Sequence, residues 1–181
     1  MANLNDGLTT LLQDMMDVLR EIRDDEGNTI FKYVTIFRDQ FQRFGNNDAT
    51  GKNDNLPFQW PVAFIEPLID DIDTGPHGIQ YSNVTLNVFI GLWRFDLEKE
   101  DNWKFPFQLR VYAHRYLQTL KDKAGYYSSL MRSPEFQDNS YENFYVWQMQ
   151  YHCQVYDETA IWGQDGIPWN FDSYKIIKNI E

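Results

Sequence analysis

The chain has 181 residues, 43% of them hydrophobic and 17% aromatic, enough for one packed core and too apolar for a disordered segment. Its 16 Lys and Arg stand against 27 Asp and Glu, a net charge of −11, the wrong sign for a protein that holds nucleic acid by neutralising phosphates. A single cysteine excludes an internal disulfide and fits a reducing compartment, or a fold that needs no staple.

The first residues, MANLNDGLTTLLQDMMDVLREI, have neither a basic start nor a continuous apolar stretch, so no secretory signal is expected. No apolar run approaches the ~20 residues that span a bilayer. A soluble, intracellular product with no membrane contact is the expectation. Leu8, Leu11, Leu12, Met15, Val18, Leu19 and Ile22 recur at three- and four-residue steps, which predicts a helix over 6–23. Asn5 or Asp6 suits its start and Gly27 its end.

TIFKYVTIF (29–37) is β-branched and aromatic and reads as a strand. RFGNNDATGKNDNLP (43–57) has little to bury and reads as a long exposed loop. WPVAFIEPLI (60–69) reads as a strand, DDIDTGPHG (70–78) as a turn-rich connection, and YSNVTLNVFIGLW (81–93) as an alternating strand. A second helix is expected over 102–125, with Leu109, Tyr112, Ala113, Tyr116, Leu117 and Leu120 as its apolar stripe and Pro106 in its first turn. Strands at 128–137 and 143–157 follow. The expected fold is therefore α+β, an antiparallel sheet backed by two helices on one face, in the order α-β-β-β-α-β-β. Residues 1–160 form the single domain and 161–181 a C-terminal aromatic-rich arm.

The chemical candidates are few. Cys153 follows His152 directly, but neighbours on a strand point to opposite faces, which makes Cys153 a core residue rather than a nucleophile served by that base. Asp73-Thr74-Gly75 matches the active triplet of aspartic proteases, yet it occurs once, is followed by Pro76, and is ordinary turn chemistry. Asp70, Asp71, Asp73 and His77 lack the spacing of a calcium loop, and the three histidines lie too far apart in sequence for a zinc site. No phosphate-binding glycine pattern occurs. No catalytic residue, metal or cofactor is expected, and the protein reads as a non-enzyme. The arm carries Ile161, Trp162, Trp169, Phe171 and Tyr174. These either fold back on their own domain or dock on a neighbouring subunit, where Trp and Tyr are common anchors. The two readings stand even.

Three stretches carry a resemblance: FQWPVAFIEPL (58–68), QYSNVTLNVFIGLW (80–93) and SSLMRSPEFQDNSYENFYVWQMQYHCQVYDETA (128–160). They resemble the short strand after the first loop, the long strand that follows, and the final hairpin of the tail-terminator and tail-completion proteins of tailed bacteriophages, including their neck-ring relatives. The likeness runs in order and spacing from about residue 6 to residue 160. The 43–57 loop and the arm depart from that compact pattern. The resemblance implies a structural virion protein made in the host cytoplasm. Six or twelve copies would form a ring at the head–tail neck or the top of the tail, joining portal or connector to tail around the DNA channel. Its partners would be its own copies and other neck, portal or tail proteins, with DNA passing through the lumen without specific binding. An acidic lumen repels phosphates, and Asp70, Asp71 and Asp73, with the 43–57 loop, are the residues expected at the lumen or at ring contacts. The competing expectation is a small ligand- or peptide-binding adaptor, since a sheet with two helices accepts a strand or a groove ligand.

Overall fold

The structure, a computed structural model, describes residues 6–45, 59–75, 79–93, 102–122, 125–141 and 144–157. Helix α1 (Gly7–Glu21) begins where Asp6 accepts a hydrogen bond from the Leu8 backbone N–H at 2.9 Å. Leu11, Met15 and Leu19, four residues apart, are its buried stripe, as the sequence period requires. The chain leaves α1 at Ile22 and turns through Gly27, whose φ of +84° suits a residue without a Cβ. Gly7 has a different constraint. A Cβ there would lie 2.2 Å from the Tyr156 carbonyl oxygen and 2.7 Å from that of Tyr126, so only glycine lets the helix start against main chain.

Strand β1 (Tyr33–Ile36), helix α2 (Gln40–Gly45), β2 (Val62–Thr74) and β3 (Gln80–Trp93) follow. A 3₁₀ turn (Asn102–Lys104) leads into α3 (Phe105–Gln118), and β4 (Met131–Arg132), β5 (Phe136–Asp138) and β6 (Phe144–Asp157) close the described chain. Among the described residues these strands form one six-stranded sheet in the order β1-β2-β3-β6-β4, with β5 also on β6. The fold is α+β, as the order of elements predicts.

Five details differ from the expectation, the first being α2, a short helix that the expected order lacks and whose Phe41 packs on the opposite face of the sheet from α1 and α3. The sheet is not antiparallel throughout, because β1 pairs β2 in parallel, Tyr33 opposite Val62. Parallel neighbours need a crossover of a dozen or more residues, and residues 37–61 supply it. The connection expected at 70–78 is strand as far as Thr74, which pairs Gln80. The strand expected at 128–137 is divided into β4 and β5 around Pro134, which has no N–H to give a ladder. The second helix stops at Gln118 rather than near Gly125.

The sheet has two unlike faces. On one, α1 and α3 lay Leu11, Met15, Leu19, Leu109, Ala113 and Leu117 over Ile65, Leu86, Val88, Met149 and Tyr151. Full burial of each Leu, Ile, Val or Met side chain is worth about 1.5–3 kcal/mol. On the other face Phe41 of α2 packs with Val62, Phe64, Phe89, Phe144 and Val146 at one end of the strands. Gly91 makes room for that cluster, since a Cβ there would meet the Phe41 ring at 2.6 Å. The arm residues Ile161, Trp162, Trp169, Phe171 and Tyr174, and residues 46–57 of the expected loop, lie outside the described residues.

Candidate functional site

Beyond the aromatic cluster, the face opposite the two long helices is polar, and strand register decides which polar groups meet. Asn87 sits opposite Glu66 on β2 and Gln150 on β6. Its amide donates to Glu66 Oε2 at 3.0 Å, and its carbonyl accepts from Gln150 Nε2 at 3.2 Å. One step along, Thr85 Oγ1 lies 2.6 Å from Asp70 Oδ2 and 2.9 Å from His152 Nδ1. A hydroxyl has one proton. With that proton given to Asp70, the second contact is made by His152 Nδ1–H donating to the hydroxyl. Asn87 and Thr85 are buried, and both rows satisfy them, as buried polar groups require.

The three acidic candidates are brought together on β2, not on a loop. A register shift between Ile69 and Asp71 places Asp70 in a bulge. Asp70 then reaches Thr85, and Asp71 Oδ1 accepts the Asn83 backbone N–H at 3.2 Å. Asp73 accepts from the Thr74 N–H at 2.9 Å. The position on a strand has a physical reason. Main-chain pairing with β3 continues to Thr74↔Gln80, whatever the side chains bury. Residues 68–74 are exposed, while β3 beside them is paired to β6 on its other side, so this half of β2 is an exposed edge of the sheet and presents Leu68, Ile69 and Ile72 to solvent. Ile72 is 60% exposed. Past Ile65 the outer edge of β2 has no strand partner among the described residues. Pro67, the bulge and the three aspartates all discourage indiscriminate pairing there.

A concavity of about 620 Å³ opens beside Asp70, between Asn83, Ser128, Ser129, Met131, His152 and Gln154. Asp70, Asp71 and Asp73 do not join a metal-ligand cluster: no group of three or more His, Cys, Asp or Glu among the described residues is arranged to hold an ion. Cys153 touches this concavity from the other side. It is 4% exposed, in the core beneath the helices, and burial pushes its thiol up to about 12. His152 belongs to the opposite row, so the adjacent pair serves two different faces.

A second polar group links α3 to the strands below it. Arg110 Nη1 and Arg132 Nη2 both donate to Glu135 Oε1, the latter at 2.6 Å. The Arg110 guanidinium also lies over the Trp147 ring, 5.6 Å from its centre. Nearby, His114 Nδ1 is 3.1 Å from the Tyr151 hydroxyl. Burial lowers the His114 pKa, Arg132 and Arg110 lower it further, and Glu135 opposes them. Tyr151 is held protonated, chiefly by burial.

One apolar exposed surface was not singled out by the sequence pattern. Helix α3 buries Pro106, Leu109, Ala113 and Leu117, but its outer side carries Phe107 and Val111, in line with Trp103 of the 3₁₀ turn before it; Trp103, Phe107 and Val111 are 62%, 43% and 53% exposed. With Lys104, Gln108 and Tyr112 they line a groove of about 440 Å³. The i, i+4 spacing of those three residues was the available signal. Comparison with protein-family models and with curated proteins returned no match.

Proposed function

We propose that the chain is a structural virion protein that assembles into a closed ring at the head–tail neck or the top of a phage tail, joining portal or connector to tail around the DNA channel. The exposed outer half of β2, at the edge of the sheet, carries this reading. It exposes Leu68, Ile69 and Ile72 beside Asp70, Asp71 and Asp73, an apolar and acidic strip along one edge of the sheet. A ring needs one surface of each copy to meet a different surface of the next, with a rotation that closes. That edge supplies the first surface, and past Ile65 it has no strand partner among the described residues. The likeness of segments 58–68, 80–93 and 128–160 to the tail-completion family supports the same reading. The acidic balance supports a channel that lets DNA slide, because carboxylates facing a lumen repel phosphates.

The test is Ile72→Asp. An exposed substitution of this kind leaves stability within about 0.5 kcal/mol, so its effect on assembly is read separately. The parent should sediment as an oligomer, and the variant should lose that species in sedimentation velocity while keeping its melting temperature. An unchanged oligomer removes the hairpin from the contact.

A ligand- or peptide-binding adaptor is the second reading, favoured by the concavity beside Asp70 and His152. It predicts a monomer that takes up a ligand at unit stoichiometry.

A further inference from the structure

We propose that residues 161–174 dock on the outer face of α3 of their own chain, over Trp103, Phe107 and Val111. This goes beyond the ring reading and does not depend on it. The receiving surface is a stripe of large apolar side chains at helical spacing, on a helix whose inner stripe is already buried. Contiguous exposed apolar surface of this kind marks a contact site. Trp103 and Phe107 meet edge to face at 6.4 Å, and Phe107 meets Trp147 at 5.7 Å, so the groove floor is set before anything enters it.

Charge, reach and an unmet hydrogen bond select the occupant. Residues 102–118 carry Lys104, Arg110 and Arg115 and no acidic residue, in a chain of net charge −11; Arg110 is already paired with Glu135, so the charge complementarity rests on Lys104 and Arg115. Residues 158–174 carry Glu158, Asp165 and Asp172 and no Lys or Arg, together with Ile161, Trp162, Trp169, Phe171 and Tyr174. An apolar, acidic segment thus faces an apolar, basic helix.

The reach follows from the sheet. Strand β6 runs beside α3, with Trp147 at Phe107 and Tyr151 at His114. From Asp157 back to the level of Trp147 is ~33 Å along the strand. Twelve extended residues, 158–169, span ~40 Å. A segment that reverses after Asp157 therefore brings Ile161 and Trp162 towards the Tyr116 end of α3, and Trp169 and Phe171 to Phe107 and Trp103. Tethering at such length gives an effective concentration in the millimolar range, which favours the chain's own helix over that of a neighbour. The buried Trp147 indole N–H, with no acceptor among the described residues, then gains one from the docked segment.

The test places p-benzoylphenylalanine at position 107 of the full chain, with a second variant at position 111. Isotope-light and isotope-heavy chains are mixed before irradiation, and the attachment points are mapped by mass spectrometry. The expected result is attachment within residues 161–174, in products that are all light or all heavy. Attachment to residues 94–101 instead, attachment only between light and heavy chains, or no attachment to the segment each overturns the proposal. A Trp169→Ala, Phe171→Ala double variant gives an independent reading without the probe. It should raise the fluorescence of an added apolar dye several-fold, and an unchanged signal counts against docking.

Discussion

Thr85 donates its hydroxyl proton to Asp70 at 2.6 Å, and the same oxygen lies 2.9 Å from His152 Nδ1. Three strands meet at that one buried oxygen. It fixes the His152 tautomer, because an oxygen that has given up its proton accepts from Nδ1–H. It also ties the bulged, exposed half of β2 to the centre of the sheet.

Thr85→Val keeps the side-chain shape and removes both bonds. The expected cost is about 1–2 kcal/mol, read by chemical denaturation. The change should be felt most in the hairpin, with faster amide exchange in residues 70–74 and 80–83 than in the parent. Equal exchange in the two proteins would mean that the hairpin is held by its main-chain ladder alone.

Gly7→Ala should destabilise the chain by about 2–3 kcal/mol. The new methyl group would fall on the carbonyl oxygens of Tyr156 and Tyr126, and main chain cannot rotate away as a side-chain tip does. Gly27→Ala serves as the contrast. Nothing lies within 4 Å of a Cβ there, and the φ of +84° sets its smaller penalty. A cost at position 7 no greater than at position 27 would contradict the close approach of α1 to β6.

Cys153 is the only cysteine, so one thiol reagent reports on one site. With the thiol buried and its pKa pushed up to about 12, native protein at pH 8 should react slowly and denatured protein at once. Rapid native labelling would place Cys153 outside the core.

His114 has a folded-state pKa below its ordinary value of 6.5, because burial disfavours the charged ring. The unfolded chain therefore binds more protons than the folded one as pH falls through 6.5, and stability declines in that direction. At higher pH the contribution is fully present. His114→Asn should flatten the stability profile just below pH 6.5, as measured by denaturation midpoints. A slope unchanged in the variant would assign it to other groups.

Helix α1 and strand β6 were legible because each buries one side at a regular period, 3.6 residues or 2; β3 is buried on both faces from Val84 to Leu92 and was legible because its residue types alternate over 83–88. The faces of β6 follow that alternation, Tyr151 and Cys153 inward and His152 and Gln154 on the polar side. The outer half of β2 was not legible. Its residues bury nothing on either face, and only pairing with β3 makes it strand. The parallel partnership of β1 and β2 depends on a crossover that no local pattern encodes, and α2 has six residues, too few to show a period. In α3 two apolar stripes share one helix, so Tyr112 and Tyr116 read as core with Leu109, although Tyr116 is exposed. The acidic candidates were found by their clustering. The Glu66–Asn87–Gln150 row was not, because register alone brings those residues together.

The account rests on a ring, and native mass spectrometry of the full chain across a range of protein concentrations tests it most directly. The predicted result is a closed species of six or twelve copies with no other mass bound. That species should vanish in Ile72→Asp without loss of fold. A chain that stays monomeric to the highest concentration, or carries one small-molecule mass per copy, would contradict the ring and favour the binding module.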